Sequence, residues 1–118
     1  MLERILLPIV VAVLASVTLP AQSAGTLDIA TNKNLKYHPL MQEIVEKYGL
    51  NLDGDWNTAY MAHLGRHPNM CHEFVLQRMR QIDYEANGDQ GLLLSLFDKY
   101  IKRFILEHPE LLRKSGWY

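Results

Sequence analysis

Residues 5–19 form a run of fifteen, Ile-Leu-Leu-Pro-Ile-Val-Val-Ala-Val-Leu-Ala-Ser-Val-Thr-Leu, without a single charge. A run with no polar face cannot be the wall of a small globular domain, where a helix is apolar on one side only. It is shorter than the roughly 20 residues a helix needs to cross a bilayer core, and Pro8 interrupts it. Arg4 precedes it and Pro20-Ala-Gln-Ser-Ala-Gly25 follows it, which completes the three-part pattern of a secretory signal peptide. Residues 1–24 are therefore expected to be a leader, and the protein secreted or periplasmic. Membrane association is expected only through this segment left uncleaved. Cutting after Ser23 or Gly25 puts Ala21 or Ser23 three positions back, where small residues are preferred, whereas cutting after Ala24 puts Gln22 there.

The remainder, residues 25–118, is long enough for one domain with one modest core. Twelve Lys and Arg stand against thirteen Asp and Glu, so no polybasic nucleic-acid arm is present. A single cysteine, Cys71, excludes a disulfide-stapled mini-fold. Exported with its thiol free, Cys71 is expected to be buried on an apolar helix face.

The spacing predicts a mainly α domain with at most a short β-hairpin or extended segment at its start. Residues 25–36 read as extended or loop. Leu40, Ile44, Val45 and Tyr48 recur at helical spacing, Pro39 suits a first turn and Gly49 a C-cap, which gives a helix near 38–48. Asn51-Leu-Asp-Gly-Asp55 is a turn. Its carboxylates resemble a calcium loop, but Trp56 replaces the sixth-position glycine and Ala62 the terminal Glu. Pro68 opens a second helix to about Glu85, with Cys71, Phe74, Val75, Arg78 or Met79, and Ile82 on one face. Asn87-Gly88 breaks it and Asp89 caps a third, from about 90 to 107. Its stripe of Leu93, Leu94, Leu96, Phe97, Tyr100, Ile101, Phe104 and Ile105 predicts deep burial. Pro109 starts a last turn.

Three of the five histidines, His63, His67 and His72, fall within ten residues. Neutral imidazoles presented by a loop and the following helix can meet at one cation. From spacing alone, capping or surface histidines remain the alternative, because a catalytic zinc site usually takes three protein ligands. Arg78, Arg80, Lys99, Lys102, Arg103, Arg113 and Lys114 are interleaved with acidic residues and read as a solvated face rather than a phosphate-binding one. There is no phosphate loop and no dinucleotide fingerprint. No Ser-His-Asp set is visible either.

The run Ile29-Ala-Thr-Asn-Lys-Asn34, the helix ending Tyr48-Gly-Leu-Asn-Leu52, Asn57, and His63-Leu-Gly-Arg66-His67-Pro68-Asn-Met-Cys71-His72-Glu-Phe-Val75 occur in that order. Together they resemble the toxin nucleases of the HNH/endonuclease VII superfamily, in particular the groups named for an Ala-His-His or Gly-His-His signature. The resemblance covers about residues 29–83. It implies a small ββα-metal-like endonuclease domain that uses a divalent ion (Mg, Mn or Zn) on nucleic acid, and it points to an immunity protein as partner. It also implies that His67 and His72 hold the metal, that Asn57 orients the catalytic loop, and that His63 and Arg66 are further site candidates.

In such nucleases a His-His pair, one ligand and one general base, precedes the Ile-Ala-Thr-like run. Here Leu27-Asp28 stands in that place. Leu27 has no donor atom, and Asp28 is left as the candidate ligand or weak base, since an ordinary carboxylate titrates near 4. With the leader ending almost at the pair, the strand that should carry it is expected to be missing. The expected function is a nuclease-like exported domain, degenerate and weak or inactive. The alternatives are an active enzyme relying on Asp28, a non-catalytic binding module in a toxin and immunity system, or a small structural exported protein.

Overall fold

The computed structural model describes residues 24–62 and 67–117. All of the expected leader but Ala24 therefore lies outside the described residues, as do His63 and Arg66. No helix among the described residues is long and apolar enough to cross a membrane.

The described residues begin with a strand, β1 (Ala24–Asp28), and the chain returns to it thirty residues later with β2 (Thr58–Ala62). The two run antiparallel, with Thr26 opposite Tyr60, Leu27 opposite Ala59 and Asp28 opposite Thr58. This corrects the expectation that the strand carrying the Leu27-Asp28 pair is missing. The two-stranded sheet is closed by the long excursion of residues 29–57 instead of a tight turn, so neighbouring residues gave no hairpin signal. Alternation along a strand sends successive side chains to opposite faces. Leu27 and Ala59 accordingly turn into the core, while Thr26 and Tyr60 face out.

Three helical segments build the rest. Helix α1 (Tyr37–Glu46) starts where the Asn34 side chain accepts the amides of Lys36 and Tyr37 at 2.9 and 3.0 Å. It ends at Gly49, whose φ of 70° only glycine adopts without strain. Its buried face is Tyr37, Met41, Ile44 and Val45. Leu40, expected on that face, is 37% exposed, because it sits one residue, and so about 100°, away from the stripe. Helix α2 (Asn69–Ala86) follows Pro68 and buries Cys71, Val75, Leu76, Met79 and Ile82. It stops at Asn87 and Gly88, both at positive φ.

The third segment is α3 (Gln90–Phe97), a π-helical turn (Asp98–Lys102) and α4 (Arg103–Glu107) in direct succession. Asp89 caps it, accepting the Leu92 amide at 3.0 Å. The fully buried residues are Leu93, Phe97, Ile101 and Ile105, spaced by four. A regular helix turns 400° in four residues and would carry such a row progressively off the core. The wider π turn offsets that drift. The stripe is narrower than the sequence suggested: Leu94, Leu96 and Phe104 are only half-buried and Tyr100 is 41% exposed. Phe104 packs tilted against Phe74 with ring centroids 5.5 Å apart, and the Arg78 guanidinium lies 4.7 and 4.9 Å from these two rings. Arg78 also donates to the Tyr100 carbonyl at 2.8 Å.

Burial pushes the Cys71 thiol up to about 11. The thiolate is the reactive form, so the folded protein should be inert to a thiol reagent such as DTNB at neutral pH. One equivalent should react promptly once the chain is unfolded in guanidinium.

Candidate functional site

Asn57 ties the parts of the site together. Its side chain is fully buried. The carbonyl accepts the Ala30 amide at 2.7 Å, and the amide donates to the Ala30 and Leu52 carbonyls at 2.7 and 2.9 Å. The Asn57 carbonyl accepts the Ile29 amide at 2.8 Å. Asparagine is suited to this task because it offers donors and an acceptor in one plane. The segment leaving β1 is thereby pinned to the turn entering β2. With every one of these groups spent on backbone, Asn57 acts by holding the loop and does not face solvent.

Beyond Ala30 the chain is braced again. Thr31 Oγ1 accepts the amides of Lys33 and Asn34 at 3.2 and 3.0 Å, and Asn34 in turn caps the first turn of α1. An exposed cleft of about 780 Å³ opens between this braced loop, β1 and the start of α2. Thr26, Leu27, Asp28, Lys33, Leu35, Lys36, His67, Asn69 and His72 lie on its walls. The structure thus brings Asp28, His67 and His72 to one cleft although 44 positions separate the first from the last in sequence.

His72 is 95% buried by its 5% exposure, near the start of α2. Its ring packs 5.5 Å from Tyr37 and 6.0 Å from His67, centroid to centroid. The Tyr37 hydroxyl donates to Glu73 at 3.0 Å, which fixes the ring beside His72. His72 Nδ1 is buried with no hydrogen-bond partner. His38 Nδ1 is in the same condition but lies off the cleft. Burial holds the His72 imidazole below its usual titration range, so it stays neutral with a lone pair available. Asp28 is shifted the other way: burial raises its carboxyl above the ordinary value, the nearby Lys33 charge opposes the rise and Asp53 adds to it.

A divalent ion fits part of this donor set. Two imidazoles whose centroids are 6.0 Å apart can share an ion held by nitrogens at about 2.0–2.1 Å, and the unpartnered Nδ1 of His72 marks a polar atom in want of a ligand. No group of three His, Cys, Asp or Glu side chains converges for a metal among the described residues. Lys33 and Lys36 on the cleft wall went unremarked in the sequence. Their signal was within the Ile29–Asn34 run and just past it, where two lysines flank Asn34-Leu35.

No curated protein and no solved structure matches the chain. A family model does, over residues 28–97: a nuclease family of the HNH/ENDO VII superfamily with conserved AHH. The sequence holds no adjacent pair of histidines, and the match begins at Asp28, the outward-facing residue at the end of β1. With the cleft, the two neighbouring imidazoles and a match over more than half its length, the chain belongs to the AHH nuclease family of the HNH/ENDO VII superfamily.

Proposed function

We propose that this protein is an exported endonuclease domain of weakened turnover, acting on nucleic-acid phosphodiesters with a divalent metal, and that it derives from a toxin kept in check by an immunity protein. The observation that carries the reading is the meeting of His67, His72 and Asp28 on one lysine-lined cleft. His67 and His72 would hold the ion, which supplies charge stabilisation to a phosphoryl group and its leaving oxygen when bound. Lys33 and Lys36 attract the phosphate backbone. Asp28 is the group placed to take a proton from water. A carboxylate is a weaker base than the imidazole of a His-His pair, and general-base help is worth about 10²–10⁴ in rate. Export through residues 1–24 belongs to the same proposal. Cleavage after Ser23 would leave β1 whole, whereas cleavage after Gly25 would take its first two residues.

Plasmid cleavage by the purified protein with magnesium, manganese or zinc tests this, together with calorimetry of metal binding. Slow cleavage is expected, abolished by His72→Ala, with zinc or manganese affinity lowered at least about tenfold by His67→Ala or His72→Ala, in line with losing one of few ligands. Fast cleavage lost in those variants would show that Leu27-Asp28 does not weaken the enzyme. Cleavage that survives both variants would place the activity elsewhere. Neither cleavage nor metal binding in a stably folded protein would leave a binding or structural role.

A further inference from the structure

The outer face of the β1–β2 sheet continues the cleft. Thr26 lines the cleft and stands opposite Tyr60 across the sheet. Asp28 is two residues further along the same face, so Tyr60 is its diagonal cross-strand neighbour, at a typical Cα spacing of roughly 7–8 Å. The Tyr60 side chain is 77% exposed, so pairing with Thr26 leaves most of the ring bare. Leu35, also on the cleft wall, is 94% exposed. A lone exposed leucine is ordinary on a protein surface. This one is held out by a loop whose Thr31 and Asn34 side chains each accept two backbone amides, between two lysines that line the same cleft.

A flat ring and an aliphatic side chain, both uncovered and both beside a cationic cleft, suit a strand that offers phosphates and open base faces together. A duplex offers the phosphates but keeps its base faces stacked inside. Aromatic platforms beside cationic grooves are how proteins hold unpaired strands.

We propose that the cleft takes a single-stranded or locally unpaired nucleic acid, with Tyr60 as the stacking platform for the base next to the phosphate at Asp28 and Leu35 as an apolar stop. This inference rests on the nuclease reading above and narrows its substrate. The lysines set the affinity for any polyanion, and Tyr60 sets the preference for unpaired bases.

Binding of the full chain to labelled oligo-dT, oligo-rU and a duplex of equal length, followed by fluorescence anisotropy in EDTA, separates the two readings because no cutting is needed. Single strands are expected to bind more tightly than the duplex at the same salt, and a preference between oligo-dT and oligo-rU identifies the sugar. Tyr60→Thr, which keeps a residue favourable to a strand, should weaken single-strand binding about 5–150-fold and leave duplex binding unchanged. Tyr60→Phe should bind like the wild type, and Leu35→Ala should lose less than Tyr60→Thr. Equal melting temperatures by circular dichroism establish that the variants are folded. Preference for the duplex, or single-strand binding untouched in folded Tyr60→Thr, overturns this inference and leaves the nuclease reading standing. No binding of any oligonucleotide by the wild type at low salt also overturns this inference, and the metal-dependent nuclease reading then stands or falls by the cleavage assay above.

Discussion

Asp28→His should raise plasmid cleavage by about 10²–10⁴. The physical reason is the position of residue 28 on β1. Its side chain leaves the outer face of the sheet and reaches the cleft that His67 and His72 share. Free imidazole is a stronger base than a free carboxylate, and proton transfer is most effective from a base whose strength matches the working pH. The neighbouring substitution should behave differently. Leu27 is buried in the core at the edge of the cleft, so Leu27→His places a polar ring among apolar side chains, and its first effect is a loss of stability. Rates for wild type, Asp28→His, Asp28→Asn and Leu27→His, measured with manganese on supercoiled plasmid, check the argument. A folded Asp28→His no faster than the wild type would remove the base at this position as the reason for the weakened turnover proposed above.

Asn57→Ala should destabilise the domain by about 3–4 kcal/mol, because it orphans the Ala30 amide and the carbonyls of Ala30 and Leu52 in a dry interior, and each unsatisfied group costs about 1–3 kcal/mol. For a domain of this size the melting temperature should fall by roughly 15–25 °C. Asn57→Asp should not rescue it. A carboxylate can accept the Ala30 amide but cannot donate to the two carbonyls, and it brings a buried charge. Thermal melts by circular dichroism decide the matter. A loss under about 1 kcal/mol would mean that water replaces the side chain at no cost. In the folded fraction of a mild variant, metal affinity at His67 and His72 should persist, since Asn57 acts on the loop and touches neither ring.

Some of this molecule was legible from neighbouring residues. The stops at Gly49 and at Asn87-Gly88, and the Asp89 cap, were read correctly because each depends on the backbone freedom or side-chain reach of residues within one turn. Membership in the nuclease superfamily was legible for the same reason: Ile29–Asn34 and Gly65-Arg-His-Pro68 are short runs whose order and gaps are written in the chain. The misses have a common cause as well. Leu40 and Met41 are adjacent apolar residues, and helical periodicity admits either, but only the packing of α1 against α2 selects Met41 for the core. The third helical segment looked deeply buried along a broad stripe, yet a π turn keeps one row of four residues inward and leaves Tyr100 partly bare.

What the sequence by itself determined was the helical character, the breaks and caps, and Leu27-Asp28 ahead of the Ile29–Asn34 run, because these are properties of residue type over a few positions. What only the tertiary structure decided was which residues meet. It set Leu27 inward and Asp28 outward through pairing with a strand thirty residues away, drew His72 under Tyr37 and beside His67, and turned Asn57 into a fully buried tie. Burial and long-range pairing are set by the whole chain collapsing on one core, and no local window contains that information.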